Sequence, residues 1–394
     1  MSLPSKARFA WIVLLISVSW GGGRPQSAAA EKVQPKNLRS KRSKAISALS
    51  RAQWPLDEAS FFRAVREKRV EIVQEYLDAG LSPESTDQGK PVVFLALSRR
   101  SLPVLKVILA RKPRLEVLDD LGQTPLILAT KLGEIELVKA LLKAGAEIDA
   151  ADPGGRTPLF FSAAAGQIYL LKWLLSQKAH LSGVVQWEGR PRSIVEVAAS
   201  EGQPGSLEIL LKAGLDPNAK SSADGATPLM SAVSAGVPEA VQVLLQAGAD
   251  PLALDKKGRS ALFHLTSRGR SDSPAKIIPL LKAAGLSLEA RDAMGDTPLT
   301  ASIRELLPIE VQEEFLKAGA STEYPEEGRT GPLQIAVRME QIDIVEALLK
   351  AGANPLAKDG AHDSALKIGL LQKPFLFTLN FALLRSWMKG AYRH

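Results

Sequence analysis

The residues best suited to acid–base or metal chemistry are scattered along this sequence. The four histidines, His180, His264, His362 and His394, lie in separate stretches of the chain. No His-Glu-x-x-His pair, phosphate-binding loop or Gly-rich dinucleotide turn accompanies them. Because there is no cysteine, disulfide bonds and a lipid anchor on cysteine are also excluded. The sequence therefore predicts a protein that is not an enzyme, with no cofactor and no metal site.

Aspartates are the second group of residues that could do chemistry. Two carboxylates held close together can act as general acid and base, but such pairs would have to come from adjacent turns of this chain. Aspartate also favours tight turns, because its side chain bonds its own backbone. The aspartates concerned are Asp119, Asp120, Asp149, Asp152, Asp250, Asp255, Asp292 and Asp359. We expect them to form turns.

The elements that position these turns are pairs of short helices. Thr124 can cap a helix with its hydroxyl, Pro125 suits the first helical turn, and Gly133 can end the helix in a left-handed conformation. A second helix follows, with an apolar stripe that includes Leu142, and ends near Gly145. Isolated helices are marginal below roughly 12 to 15 residues, so each pair must bury its stripe against a neighbour.

The same unit recurs along the chain. Its start recurs at Thr157-Pro158-Leu159, Ser193-Ile194-Val195, Thr227-Pro228-Leu229, Ser260-Ala261-Leu262, Thr297-Pro298-Leu299, Gly331-Pro332-Leu333 and Ser364-Ala365-Leu366. These residues resemble the ankyrin repeat family, whose unit of about 33 residues has a Thr-Pro-Leu-His-x-Ala start, a helix pair and a hairpin. The resemblance covers the chain from about Leu56 onward. It implies an all-α ankyrin repeat solenoid of stacked helix-turn-helix units with projecting β-hairpin loops, with about nine repeats in 56–363.

Three departures from the family pattern carry expectations of their own. The family's histidine is replaced throughout, and we expect apolar packing to replace its hydrogen bond to the capping residue. The residues at its position are Ile127, Phe160, Glu196, Met230, Phe263, Thr300 and Gln334. Lys112 stands where other repeats have a helix-ending glycine, and because Pro113 follows it we expect a rebuilt turn. The segment 180–192 is longer than its counterparts and carries Trp187, so it should bulge from the array.

The resemblance also implies a function, since ankyrin stacks recognise other proteins on a concave surface of first helices and hairpin tips. By resemblance, the contacting positions lie just before the Thr-Pro step or late in the first helix. They are Lys90, Gln123, Lys131, Arg156, Arg192, Arg259, Arg268, Arg304, Arg329 and Arg338. We therefore expect a non-catalytic protein–protein interaction module.

Arginines recur at the position before the Thr-Pro step, at Arg156, Arg192, Arg259 and Arg329. In a stack they should line one edge of the concavity with exposed side chains. A row of guanidinium groups would suit an acidic or carboxylate-bearing partner, because arginine binds such groups through two hydrogen bonds. The alternative is that basic residues here are an ordinary feature of the family.

The N-terminal residues 1–30 have the pattern of a signal peptide. Lys6 and Arg8 precede an apolar run of about a dozen residues, which is too short for the roughly 20 that span a bilayer. Ala28 and Ala30 place small residues at a cleavage site, and the alternative is an uncleaved anchor. A protein of this size without cysteine is compatible with export into the periplasm of a Gram-negative bacterium, which we expect in preference to an extracellular location.

Residues 31–55 are rich in Lys, Arg, Ser and Pro and predict a basic flexible linker that is disordered or weakly helical. The formal net charge of +8 arises in the first 51 residues, because acidic and basic residues nearly balance in the rest of the chain. The charge therefore does not indicate a nucleic-acid-binding array.

Residues 364–394 diverge from the repeat and predict a C-terminal capping repeat or helix. An apolar helix beginning at Pro374 would either cover the last repeat or dock on a membrane or partner. This leaves an alternative function open. The protein could act as an envelope scaffold that binds peptidoglycan or membrane through the basic linker and this helix.

Overall fold

The computed structural model describes residues 35–181, 183–221, 223–265, 273–323 and 330–371, and these are mostly helical. The helices are α1 (Pro35–Arg51), α2 (Glu58–Arg66), α3 (Val70–Asp78), α4 (Val92–Ser98), α5 (Leu102–Leu109), α6 (Pro125–Lys131), α7 (Ile135–Lys143), α8 (Pro158–Ala164), α9 (Ile168–Ser176), α10 (Ile194–Ser200), α11 (Pro204–Lys212), α12 (Pro228–Ala235), α13 (Pro238–Gln246), α14 (Ser273–Ala283), α15 (Pro298–Arg304), α16 (Ile309–Lys317), α17 (Pro332–Arg338), α18 (Ile342–Lys350) and α19 (Ala365–Leu371). A short 3-10 helix, Ala261–His264, takes the place of an α-helix before α14.

Two antiparallel hairpins complete the described secondary structure. Strands β1 (Thr86–Asp87) and β2 (Lys90–Pro91) pair before α4, and strands β3 (Val184–Trp187) and β4 (Arg190–Ser193) pair before α10. The other connections between repeats in the described parts of the chain are turns, apart from one isolated bridge between Lys358 and Ser364. The all-α repeat fold with projecting hairpins is therefore confirmed.

Each pair begins as the sequence predicts. Thr124 has an extended backbone, and its Oγ1 accepts a hydrogen bond from the backbone N–H of Ile127 at 3.2 Å, while Pro125 opens the helix. The same cap is made by Thr157, Ser193, Thr227, Thr297 and Ser364. At the other end Gly133 has a φ of +72°, a conformation that costs glycine nothing. The predicted side-chain cap is confirmed at these six starts, whereas Ser260 makes no such bond and is followed by the 3-10 helix.

The turn at Lys112 differs from its prediction. Lys112 has a φ of +53°, and its N–H bonds the carbonyl of Leu109 at 2.9 Å, as Gly145 does with Leu142 at 3.0 Å. The expected rebuilding before Pro113 is wrong. The helix end is kept, and the left-handed lysine carries a strain of about 1–2 kcal/mol that the packing of the repeat offsets.

The helices stack in two rows. One row contains the first helix of each pair, from α2 through α4, α6, α8, α10 and α12 to the 3-10 helix, α15, α17 and α19, each contacting the next. The second helices lie behind them, for example α3 on α5 and α5 on α7. We call the side of the array made by the first helices and the turns before them the first-helix face. A continuous apolar core fills the space between the rows.

The paired leucines show how the second helices face this core. In α7, Leu141 is fully buried, whereas Leu142, which the sequence led us to regard as buried, is half-exposed and packs on the core from its edge. The first leucine of the pair is likewise the buried one in α9, α11, α13 and α18. In α14 the order is reversed, and Leu281 rather than Leu280 is buried.

The predicted flexible linker 31–55 is wrong over most of its length. Residues 35–51 form α1, which packs on α3 and extends the row of second helices. Ala45 and Leu49 of α1 are buried, and Lys41 lies 3.0 Å from the carboxylate of Asp78 in α3. The linker prediction failed because the basic composition hid this narrow apolar stripe.

The long segment before α10 folds onto the array instead of bulging away from it. The N–H of Gln186 in β3 bonds the carbonyl of Gly154 in the preceding turn at 2.9 Å. Trp187 packs against Phe160 of α8, with ring centroids 5.2 Å apart. The hairpin β3–β4 is therefore tied to the neighbouring repeat.

The predicted signal peptide (1–30) and the predicted helix from Pro374 lie outside the described residues. None of the helices in the described ranges has both the length and the apolar character that crossing a bilayer requires.

Replacing Leu141 by Ala should lower the free energy of unfolding by about 2–5 kcal/mol, because a fully buried leucine is truncated. Leu142→Ala, the matched control one residue away, should cost less. Amide hydrogen exchange should rise most in α6, α7 and the pairs on either side, since each repeat contacts only its neighbours. A uniform rise across all described helices would contradict this picture.

Candidate functional site

Five of the described turns of the first-helix face are each built on one aspartate. The Oδ1 atom of Asp152 accepts hydrogen bonds from the N–H groups of Gly154 and Arg156 at 3.0 and 2.9 Å. The same two bonds, to the second and fourth residues after the aspartate, are made by Asp119, Asp255, Asp292 and Asp359. The expectation that these aspartates form turns is confirmed for these five.

The second carboxylate oxygen of most turn aspartates contacts a basic side chain. Arg156 Nε lies 2.6 Å from Asp152 Oδ2, and Arg338 Nη2 lies 2.7 Å from Asp359 Oδ2. Arg259 reaches the next repeat, with Nε 3.1 Å from Asp292 Oδ2. These arginines therefore stabilise the turns.

The arginines before the Thr-Pro step are less exposed than the sequence suggested. The side chains of Arg156, Arg192 and Arg259 retain only 29 %, 18 % and 15 % of their exposure. Arg259 is held by two carboxylates, since its Nη1 is also 2.7 Å from Glu305 Oε1. The expectation of an exposed guanidinium row is wrong for these three, because turn aspartates hold Arg156 and Arg259 on the array and Arg192 lies against Glu188 and Glu196.

The remaining predicted contact residues are spread over the first-helix face. Lys90 pairs with Asp120 at 2.6 Å, and Lys131 is exposed at the end of α6 with its Nζ 5.1 Å from the ring centroid of Phe161. Gln123 is buried instead of available for contact. Arg304 and Arg338 are half-exposed and line one pocket of about 550 Å³. Arg268 and Arg329 lie outside the described residues.

A larger pocket, of about 640 Å³, lies in the middle of the first-helix face. We call it the central pocket. It is bounded by the turn and second strand of the β3–β4 hairpin, by α10 and the residues after it, and by the turn before α12 and α12 itself. His264 of the 3-10 helix closes the far side. Among the predicted contact residues that the structure describes, Arg192 is the one that lines it.

Glu196 is the unusual residue of the central pocket. It occupies the family's histidine position in α10, where its N–H donates to Ser193 Oγ at 3.1 Å. Its side chain is 4 % exposed, and Oε1 lies 3.7 Å from Arg192 Nε, which is too long for a hydrogen bond. Oε2 is buried without a hydrogen-bond partner among the described residues. An ionisable group left in this state is costly unless it is neutralised or paired.

The pKa of Glu196 is raised to about 7, mainly by burial and also by the nearby negative charge of Asp224. Arg192 and the hydrogen bond to Ser193 lower the pKa of Glu196, but their effects do not cancel the effect of burial. At the same end of the pocket, burial lowers the pKa of His264, although Asp255 Oδ2 lies 3.2 Å from its Nε2. Near neutral pH the pocket therefore contains a neutral imidazole and a carboxyl group close to its midpoint.

Sequence reasoning missed this pocket. Glu196, Asp224 and His264 are brought together by stacking of three consecutive repeats, although they are far apart in the sequence. The sequence signal that could have indicated the pocket is Glu196 itself, because it is the charged residue among those at the family's histidine position. Apolar packing does replace the family's histidine at Ile127, Phe160, Met230 and Phe263. It does not at Glu196, Thr300 and Gln334, and Gln334 instead donates to the carbonyl of Ala357 at 2.8 Å.

The described residues contain no group of three or more His, Asp or Glu side chains arranged to hold a metal ion. What the central pocket offers is a carboxyl group that can change its charge near neutral pH, together with two guanidinium groups. Such an arrangement can recognise a charged or hydrogen-bonding guest.

Family models agree with this architecture. The model described as ankyrin repeats (3 copies) matches residues 61–152, 94–183 and 195–291, and the single ankyrin repeat model matches residues 331–360. Together they cover more than half of the chain. The chain belongs to the ankyrin repeat family.

Two solved ankyrin structures are among those similar to this chain. The ankyrin repeat domain of Bcl-3, a member of the IkappaB family, is 26 % identical with a TM-score of 0.43, over 60 % of this chain and 98 % of that one. The human ASB11 ankyrin repeat domain is 24 % identical with a TM-score of 0.48, over 59 % of this chain and 98 % of that one. No match was found among curated protein sequences. Ankyrin repeat domains are generally protein–protein interaction modules.

The raised pKa of Glu196 gives this ankyrin array a specific pH dependence. The pKa of Glu196 is about 7 in the folded protein, whereas the ordinary value is 4.5. The folded state is therefore most stable with respect to this group below pH 4.5, where the carboxyl is protonated, and loses that stability as the pH rises through 7. Glu196→Gln should therefore match the wild type near pH 4. At pH 8 it should be more stable by up to roughly 3 kcal/mol.

Urea unfolding from pH 4 to pH 8, followed by circular dichroism, measures this difference. His264, whose lowered pKa has the opposite effect, is present in both proteins and cancels in the comparison. Parallel stability curves for the two proteins would show that Glu196 is not buried in an unmatched state.

Proposed function

We propose that this protein is a non-catalytic binding module that recognises a partner protein through its first-helix face. The family's general role supports the proposal, and the surface of the described residues supports the choice of face. Large apolar side chains that are well exposed concentrate in the connections between repeats: Leu118, Leu121, Val184, Leu252, Leu254, Met294 and Leu356. Exposed apolar side chains of this kind are what a partner covers.

Two of these residues occupy equivalent turn positions. Leu121 and Met294 are each the second residue after a turn aspartate, and their side chains are 71 % and 78 % exposed. Their backbone N–H groups bond the aspartate, which fixes the turn and leaves the side chains projecting. A repeated apolar contact on rigid turns is the observation that carries the proposal.

The partner's charge has to be reconsidered in light of the ion pairs. Arg156, Arg259, Arg304 and Arg338 each have a carboxylate of this chain within 3.1 Å. Matched arginines contribute little free charge to an incoming acidic partner, so the case for an acidic partner is weakened. The described residues also provide no observation that favours an envelope scaffold.

The face is tested with a double variant, Leu121→Ser and Met294→Ser. Neither side chain is buried, so the fold should be kept, as surface changes usually alter stability by about half a kcal/mol. Capture of partner proteins from an extract of the source cells, quantified by mass spectrometry, should fall at least about tenfold if the turns contact the partner.

Tyr169→Ser is the matched control. Tyr169 is 88 % exposed on the second helix α9, behind the first-helix face, and its loss should leave capture unchanged. Equal loss with Tyr169→Ser, or no loss with the double variant, would contradict recognition through the first-helix face.

We also propose that the protein is exported and that its signal peptide is removed after Ala30. The support is the short apolar run with small residues at the cleavage site, as the sequence shows. N-terminal sequencing of the protein from a periplasmic extract should begin at Glu31. Recovery of the protein with an intact Met1 in the membrane fraction would contradict removal of the signal peptide.

A further inference from the structure

We propose that the central pocket receives a guanidinium or ammonium group, supplied by an arginine or lysine side chain of the partner protein. The inference rests on the proposed function, because it names the chemistry that the partner brings to the same face. The pocket volume of about 640 Å³ falls within the range of about 300 to 1,000 Å³ that is usual for ligand pockets.

The charge of the pocket favours a cation. The carboxylates that line it are Glu188, Glu196, Glu201 and Asp224. Its two arginines are already close to carboxylates, with Arg190 3.9 Å from Asp224 and Arg192 4.0 Å from Glu188. Glu201 makes no ion pair with any residue that the structure describes. When Glu196 is ionised, four negative groups therefore face two positive ones among the lining residues that the structure describes.

The hydrogen-bonding groups of the pocket also favour a cationic guest. Glu196 Oε2 is a buried acceptor that the described residues leave without a donor, and Arg192 is too far from Oε1 to supply one. A guest N–H group would complete the carboxylate, and hydrogen bonds between ionised groups are the stronger kind. A buried acceptor without a donor destabilises the protein. A guest N–H group therefore forms a new hydrogen bond and also removes this destabilisation.

An anionic guest would meet the opposite environment. His264 has its pKa lowered by burial, so its imidazole is neutral at pH 7 and adds no positive charge. Glu188 and Glu201 are exposed beside the entrance and would repel an anion. The acidic partner that the arginine pattern suggested does not suit this pocket.

Binding of a cation should be coupled to loss of a proton from Glu196. The described charged and titratable groups that line the pocket with this carboxyl are Arg190, Arg192, Asp224, Glu188, Glu201 and His264, and burial is the largest cause of its raised pKa. Since the guest binds the ionised form, its affinity should increase as the pH rises. With a pKa of about 7, the increase from pH 6 to pH 8 should be about tenfold.

The probe is a capped Gly-Ser peptide with one central arginine, titrated into the full chain by calorimetry at pH 8. The control peptide carries citrulline, which has the same shape as arginine and no charge, and a third peptide carries aspartate. We expect binding of the arginine peptide alone, weakened at least about tenfold by Glu196→Gln, which is the loss that removal of one ionic hydrogen bond causes. Agmatine, a free guanidinium compound, should bind more weakly than the peptide.

The matched protein control is Glu239→Gln. Glu239 is exposed in the first turn of α13, a second helix next to α12, and its change should leave the affinity unaltered. Equal binding of the citrulline peptide, tighter binding of the aspartate peptide, or no effect of Glu196→Gln would overturn the proposal. Agmatine binding as tightly as the peptide would overturn the assignment to a partner side chain.

These outcomes are separate from the test of the proposed function. If the arginine peptide fails to bind while the Leu121 and Met294 variant still loses partner capture, the pocket assignment fails and the binding face stands. If the peptide binds through Glu196 but the Leu121 and Met294 variant captures the partner as well as the wild type does, the pocket assignment is kept and the proposed binding face is wrong.

Discussion

No helix of this array can bury its own apolar stripe, and the rest of the structure follows from that constraint. The described α-helices of the repeats have seven to eleven residues, below the length at which a helix persists alone. Each helix is therefore held by its neighbours in the stack, and even α1, outside the recognisable repeats, is ordered by packing on α3. Packing buries the core-facing residues and leaves the turns and helix ends at the surface.

The turns impose a second level of organisation that is electrostatic. One oxygen of each turn aspartate closes the turn, and in most of them the other holds a basic side chain, as Asp152 does with Arg156 and Asp292 with Arg259. The arginine row that the sequence predicts on this face is therefore largely neutralised in the fold. Against this background the incompletely paired carboxyl of Glu196 is the exception, and exceptions of this kind often mark functional sites.

The repeat itself could be predicted because its signals are local. Thr124 caps its helix three residues away, and Gly133 needs only its own left-handed backbone. The features that could not be predicted involve contacts between residues that are far apart in the sequence. Arg259 meets Asp292 of the following repeat, so its exposure was misjudged. Leu49 is buried only because α1 has α3 to pack on, and the central pocket exists only because three repeats are stacked.

Glu196 is a buried carboxyl group with one oxygen left without a hydrogen-bond partner among the described residues, in the central pocket of the first-helix face. The state of this carboxyl group is tested most directly by carbon NMR titration of side-chain carboxyl groups in protein labelled at glutamate, with the Glu196 signal assigned from its absence in Glu196→Gln. The account predicts a midpoint near 7 in the free protein, as burial requires. A midpoint at or below 4.5, the ordinary value for glutamate, would show that a cation or solvent already satisfies the carboxylate and would contradict the account.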